Sequence, residues 1–69
     1  MFSLALKIGK AIAKYGSKAW TAIKNGAYKY YNAAKEAWEG GLWSFAKWLA
    51  GNYTALEAIK AALEAAGLL

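Results

Sequence analysis

Residues 7–18 read KIGKAIAKYGSK, and this stretch decides the fold because its charged and apolar residues follow a helical repeat. Its four lysines are three or four positions apart, so on an α-helix they share an arc of about 80°. The opposite side of the helix carries Phe2, Ala5, Ile8 and Ile12. The pattern predicts an amphipathic helix with one apolar side and one basic stripe, formed by Lys7, Lys10, Lys14 and Lys18.

The composition favours helices throughout the chain. It includes 17 Ala, no Pro and only six β-branched residues, a balance that disfavours strands. With 69 residues the chain forms one domain at most. It has no Cys for a disulfide, and without His, Cys or Asp we expect no metal site, so helix packing must stabilise the domain. We predict a single all-α domain over residues 1–69, a compact bundle of four or five short helices.

Glycines mark the helix boundaries. All of them except Gly9 lie between segments with helical periodicity. Ser17 is predicted to be the N-cap of the second helix, which stops at Asn25-Gly26, and the pair Thr54 and Glu57 forms a capping-box pattern at the start of the fifth. The predicted helices cover residues 2–15, 17–24, 27–38, 42–50 and 54–66.

Positive charge is concentrated in the first half of the chain. Residues 1–35 hold seven Lys and no acid, and residues 36–69 hold two Lys and four Glu, so charges of +7 and −2 add up to +5. This asymmetry indicates a polyanionic partner, either nucleic acid or an anionic lipid surface. The simpler alternative is that the charge only keeps a chain with 59% hydrophobic residues in solution. We predict an exposed basic patch of Lys7, Lys10, Lys14, Lys18, Lys24 and Lys29.

The residues that catalysis would need are sparse. Ser without His lacks its usual base, although a Ser-Lys pair stays formally open. Glu36 and Glu39 share a helix face, where paired carboxylates are usually solvated. We predict no enzymatic activity, no cofactor and no small-molecule substrate.

Nucleic acid is the weaker of the two polyanionic candidates. All nine basic residues are Lys, whereas recognition of bases and bidentate binding of phosphates rely on Arg. The aromatic residues recur on apolar helix sides; in the third helix, Tyr31 is assigned to the side opposite Lys35. Bases could not then stack where charge is neutralised, so we predict no nucleic-acid partner.

A membrane surface fits the composition better. Lysines attract anionic headgroups, and Trp and Tyr rings settle at the hydrocarbon boundary. Trp43 projects beside Lys47 on the polar side of the fourth helix, where it is either an interfacial anchor or packs on a neighbouring helix. Trp20, Trp38 and Trp48 are expected to be at least partly buried. The predicted membrane-binding residues are Lys7, Lys10, Lys14, Lys18, Lys24, Lys29, Trp20, Trp43 and Lys47.

The chain lacks the features of a signal peptide and of a conventional transmembrane helix. Its first residues show no charged segment followed by a long apolar run, so export would proceed without a leader. The longest uncharged run, residues 48–56, is about half of the ~20 residues that a spanning helix requires. We expect a secreted protein that acts at the membrane of a target cell.

Two segments resemble the leaderless bacteriocins of the aureocin and lacticin Q group. One is AKYGSKAW, residues 13–20, after the Lys-rich helix; the other is WLAG, residues 48–51, followed by Leu56-Glu57 and a closing helix to Gly67-Leu68. The resemblance covers about residues 5–24 and 45–69. It implies a saposin-like bundle, a product that retains its starting Met, and attack on Gram-positive membranes without a protein receptor.

This chain departs from that group in its greater length, in an additional aromatic helix at residues 27–39 and in an acidic last helix. Circular bacteriocins share the fold and the length, so joining Leu69 to Met1 stays open, and loss of one water in an intact-mass measurement would reveal it. Oligomerisation on the membrane is open as well. The alternative function is a non-lytic helical module whose basic patch docks on an acidic protein.

Overall fold

The computed structural model describes residues 2–69 and confirms the all-α prediction. Five α-helices follow one another, and a 3₁₀ turn at Tyr28–Tyr30 joins the second to the third. No strand occurs within the described residues. Met1, on which the expected retention of the first residue and the joining to Leu69 depend, lies outside them. The helices are α1 Phe2–Tyr15, α2 Ser17–Gly26, α3 Tyr31–Glu39, α4 Leu42–Ala50 and α5 Tyr53–Ala65.

The helices pack in pairs that are distant in sequence. The most extensive contacts join α1 to α4 and α2 to α5, while α3 lies against α4. Contacts of α1 with α2 and of α4 with α5 close the bundle. Its extents of 23, 22 and 21 Å are nearly equal, so the short helices surround one core and do not form an elongated coiled coil.

The core is apolar and is drawn from all five helices. The largest fully buried side chain is Phe45 of α4, and Ile8 and Ile12 of α1 lie one turn apart, as the amphipathic pattern predicts. No polar or charged side chain is buried in the part of the chain that the structure describes. The remaining large buried residues are Ile23, Leu49, Leu56, Ile59 and Leu63.

Glycines allow the two main helix pairs to approach closely. A Cβ atom at Gly9 of α1 would lie 2.5 Å from Cδ1 of Leu42 in α4. A Cβ atom at Gly26 of α2 would lie 2.6 Å from the Cβ and 3.0 Å from the Cα of Ala62 in α5. All three distances are shorter than a van der Waals contact. At Gly26 a backbone atom of Ala62 is involved, so a larger residue would need a shift of α5, whereas at Gly9 it would displace the end of the Leu42 side chain. This accounts for Gly9, which lies inside a helix.

The prediction that Ser17 is the N-cap of α2 is wrong. Ser17 is the first residue of the helix, and Gly16, with φ +57°, occupies the cap position without a side-chain bond. The N–H of Gly16 donates to the carbonyl of Ile12 in α1, and its own carbonyl accepts from the N–H groups of Ala19 and Trp20. One residue therefore ends α1 and begins α2, which leaves no position for a separate Ser cap.

The capping box predicted at Thr54 and Glu57 is also wrong. Helix α5 begins at Tyr53, and Asn52 occupies its cap position without a side-chain bond to the helix. Instead, Nδ2 of Asn52 donates to the carbonyl of Trp48, at a distance of 2.8 Å. The Asn52 side chain therefore provides a hydrogen bond to a carbonyl at the end of α4 and none to the N–H groups at the start of α5.

The third helix begins later than the sequence pattern predicts. Ala27 is buried and has a φ of −140°, which is not helical. Its N–H bonds to the carbonyl of Ile23 and so closes α2, which runs two residues beyond Lys24 to Gly26. The bounds of α1 and α4 are confirmed, and the ends of α3 and α5, at Glu39 and Ala65, differ from the prediction by one residue.

Candidate functional site

The six lysines of the basic patch are all exposed, as predicted. Helix α1 carries three of them, α2 carries two, and the last lies in the 3₁₀ turn. The apolar side of α1 packs on α4, so its three lysines face away from that contact. The patch consists of Lys7, Lys10, Lys14, Lys18, Lys24 and Lys29.

Carboxylates do not neutralise this patch. Among the described residues the ion pair within 4 Å is Lys60 with Glu64, whose Nζ and Oε2 atoms are 3.6 Å apart within α5. Of the other three acidic residues, Glu36 and Glu39 belong to α3 and Glu57 to α5. No lysine of the patch therefore has a carboxylate within 4 Å among the described residues.

Some lysines lie over aromatic rings, contrary to the prediction that the two are segregated. The Nζ of Lys14 is 5.3 Å from the ring centre of Tyr15, and that of Lys29 is 5.9 Å from the ring centre of Tyr30. Cations at these distances are attracted to the ring face. Lysines and aromatic rings are therefore not segregated, as the prediction against a single-strand binder assumed, while the chain still has no Arg to recognise bases.

Lys35 is the cation that the sequence reasoning missed. Its Nζ lies 5.1 Å from the ring centre of Trp20 and 5.9 Å from that of Tyr31. The assignment of Tyr31 and Lys35 to opposite sides of the helix is wrong, because residues four positions apart are neighbours on a helix. The spacing of four residues is the signal from which the contact between Lys35 and Tyr31 could have been predicted.

An exposed pair of aromatic rings lies where α1 and α4 begin. The ring centres of Phe2 and Trp43 are 5.5 Å apart and the planes are inclined by 22°. Trp43 therefore packs on a neighbouring helix, which is one of its two predicted roles, although 62% of its side chain is exposed. Its role as an interfacial anchor stays a prediction. Phe2 was expected on the apolar side but is 36% exposed at its edge. Lys47 is exposed one turn after Trp43.

The other three tryptophans surround Phe45, and all are half-buried as predicted. The ring centre of Phe45 is 5.2 Å from that of Trp38, 6.0 Å from that of Trp48 and 6.4 Å from that of Trp20. Trp20 is therefore held in the aromatic core, unlike Trp43. Two exposed tyrosines outside the predicted site, Tyr28 and Tyr53, had no distinguishing pattern in the sequence.

A concave pocket of about 440 Å³ opens between α2 and α3. It contains two lysines and no acid. No group of three or more potential metal ligands comes together within residues 2–69. The pocket is lined by Gly16, Ser17, Trp20, Thr21, Lys24, Tyr31 and Lys35.

None of the helices in residues 2–69 combines the length and the hydrophobicity that crossing a bilayer would need. Comparison with known proteins found no matching family model, no similar curated protein and no similar solved structure.

Proposed function

We propose that this protein is a cationic antimicrobial protein of the bacteriocin type, secreted to bind anionic bacterial membranes and permeabilise them. The observation that carries the proposal is the combination of two surface features within the described residues. Six exposed lysines of α1, α2 and the 3₁₀ turn have no carboxylate within 4 Å, and the stacked rings of Phe2 and Trp43 are exposed where α1 and α4 begin. The resemblance to leaderless bacteriocins of the aureocin and lacticin Q group supports it. The mechanism involves no catalytic step and no cofactor.

Attraction to the membrane comes first in this mechanism. A Lys close to an anionic leaflet contributes about 1 kcal/mol, so six engaged lysines would contribute about 6 kcal/mol. This corresponds to binding at tens of micromolar, which is reversible. A second source of affinity is therefore needed, as for other proteins that bind to bilayer surfaces.

The aromatic pair is the group best placed to supply this second contribution. The rings of Phe2 and Trp43 can enter the interfacial layer without any movement of the core, because they are already exposed. An indole ring prefers that depth, where its apolar body and its N–H group are both accommodated. Trp48 is half-buried on the side of α4 that also carries the fully buried Phe45, so its full entry would require this side of α4 to turn away from the core.

A turn that could permit such a movement precedes α4. Gly41 has φ 102° and ψ 171°, a backbone conformation available essentially to Gly alone. We propose that α4 moves about this turn after the first rings have entered the bilayer. Its apolar side would then contact acyl chains and disturb their packing.

Release of an encapsulated dye tests the proposal. Vesicles of phosphatidylglycerol are expected to leak when the protein is added, whereas vesicles of phosphatidylcholine should retain their dye, because only the former attract the basic patch. A module that docks on an acidic protein would release dye from neither. Absence of leakage from the anionic vesicles would contradict the proposed function.

A further inference from the structure

The pocket between α2 and α3 brings together two cations and three hydroxyl groups. Ser17, Thr21 and Lys24 recur along one side of α2, at spacings of four and three residues. From α3 come Tyr31 and Lys35. Among the described residues no carboxylate lines the pocket, and none lies within 4 Å of either lysine.

Packing of the aromatic core fixes the walls of this pocket. The ring of Trp20 meets those of Tyr31 and Trp38 edge to face, with both pairs of ring centres 6.0 Å apart. Lys35 lies over the ring of Trp20, which directs its ammonium group along the pocket wall. The aromatic walls are therefore in place before any ligand arrives.

The hydrogen-bond donors of the pocket are available to a ligand. The side-chain hydrogen bond within residues 2–69 is that of Asn52 with Trp48, far along the chain from the pocket. Hydroxyls of Ser17 and Thr21 and the ammonium groups of Lys24 and Lys35 can thus all donate outward. Such a set of donors and charges matches a phosphate oxyanion.

We propose that this pocket binds the phosphate of an anionic lipid headgroup of the phosphatidylglycerol type. The inference rests on the proposed function and assigns a specific headgroup site to it. Trp20 and Tyr31 favour the lipid as the source of the phosphate, because such rings prefer the depth at which headgroups meet acyl chains. Binding here would also bring Lys35, which lies outside the basic patch of α1 and α2, into contact with the membrane.

Titration followed by NMR tests the site in the intact protein. The probe is dihexanoylphosphatidylglycerol below its critical micelle concentration, observed through the indole N–H signal of Trp20 and the amide signal of Thr21. Dihexanoylphosphatidylcholine, inorganic phosphate and a short single-stranded oligonucleotide form the comparison arms. The phosphatidylglycerol probe is expected to shift both signals to saturation at a lower concentration than any of the other three.

Two double variants with equal loss of charge locate the binding. Lys24→Gln with Lys35→Gln should weaken binding of the probe by about fivefold for each lysine. Lys7→Gln with Lys10→Gln removes the same charge from outside the lining of the pocket and should weaken binding of the probe clearly less, because salt screens surface charges that do not contact the ligand. All four lysines are exposed, so both variants should fold, and their amide spectra check this.

Several results would overturn the inference. Equal weakening by both double variants would show a diffuse attraction and no site. Tighter binding of inorganic phosphate would identify a site for the free ion, and tighter binding of the oligonucleotide would identify a nucleic-acid site. If the Lys24 and Lys35 variant releases dye from phosphatidylglycerol vesicles as well as the unaltered protein does, the headgroup site is refuted while the proposed function stands. If the unaltered protein releases no dye, the proposed function fails.

Discussion

The ring of Trp43 stacks on the ring of Phe2 with their centres 5.5 Å apart, and yet 62% of the Trp43 side chain is exposed. The contact joins the first turn of α1 to the first turn of α4 on the outside of the bundle. An aromatic residue in this position contributes little to the buried core, and most of its surface stays available for contacts outside the protein. The proposed membrane role of Trp43 can therefore be tested by mutation with little effect on the fold.

We expect Trp43→Ala to lower dye release while costing little stability. Loss of the stack with Phe2 should reduce the free energy of unfolding by about 0.5–1.5 kcal/mol. Trp48→Ala is the control, since the Trp48 ring is half-buried against Phe45 and its truncation should cost about 3 kcal/mol, the lower end of the range for core aromatics. Thermal unfolding and vesicle leakage are measured on both variants. Equal destabilisation by the two would contradict the assigned role of Trp43.

The basic stripe of α1 and α2 should be dispensable for folding. Changing Lys7, Lys10, Lys14 and Lys18 together to Gln removes four charges, worth about 4 kcal/mol of binding to anionic vesicles. Gln is nearly as good a helix former as Lys, so the circular dichroism spectrum should keep its helical shape. Killing of bacteria should fall, and binding to anionic vesicles should lose most of its dependence on salt. Unchanged potency would remove the stripe from the mechanism.

The protein should be folded in dilute buffer before it meets a membrane. Its helices bury their apolar sides against one another, whereas a short linear amphipathic peptide has nothing in water to pack on. We expect a helical circular dichroism spectrum without lipid and a cooperative loss of helicity on heating. A coil spectrum that becomes helical only on addition of vesicles would contradict the bundle.

Replacing a glycine by alanine should have opposite effects on stability at Gly26, where α2 packs closely on α5, and at Gly51, where there is space. Gly26→Ala places a methyl group against Ala62 and should cost about 1–2 kcal/mol, because overpacking outweighs the gain in helix propensity. At Gly51 the nearest atom to a new Cβ is the Lys47 carbonyl oxygen, 3.5 Å away, and φ is −89°. Gly51→Ala should therefore be neutral or stabilising by up to about 1 kcal/mol. Denaturant unfolding of both variants measures the contrast, and a stabilised Gly26→Ala protein would show that the helices are further apart.

The boundary between α4 and α5 can be tested with two neighbouring polar residues. Asn52→Ala removes the bond to the carbonyl of Trp48 and should cost about 0.5–1.5 kcal/mol. Thr54→Ala should change stability by less than about 0.5 kcal/mol, because Thr54 is exposed and lies inside the first turn of the helix. Chemical unfolding curves compare the two. A larger effect at Thr54 would reinstate the capping box.

Periodicity in the sequence predicted α1 and α4 to the residue, because each has a clear apolar side and ends at a glycine. The caps were predicted less well. Whether Ser17 or Thr54 caps a helix depends on how many residues separate it from the preceding helix, and this is decided by packing. The role of Gly9 was equally invisible, since a glycine inside a helical pattern acquires its meaning only from Leu42 on another helix.

The exposure of the basic patch followed from the spacing of lysines along single helices. The pair of Phe2 with Trp43 and the contact of Lys35 with Trp20 did not, because both join residues from different helices. An amphipathic pattern fixes the side of its own helix on which a residue lies, but not the neighbour that the residue meets. The pocket between α2 and α3 could not be predicted for the same reason, because its lining residues come from two helices.

A core without any buried polar side chain within residues 2–69 affects what happens if the bundle opens. Side chains such as Phe45 and Leu49 have no hydrogen bonds to lose, and the backbone bonds of each helix stay within that helix. Acyl chains would thus be an adequate replacement for neighbouring helices, whereas water would not. The interior is stabilised by its exclusion from water and not by specific hydrogen-bond partners. We therefore expect that a bilayer, if the proposed function holds, would act on the bundle as a solvent that loosens the tertiary structure and leaves the helices intact.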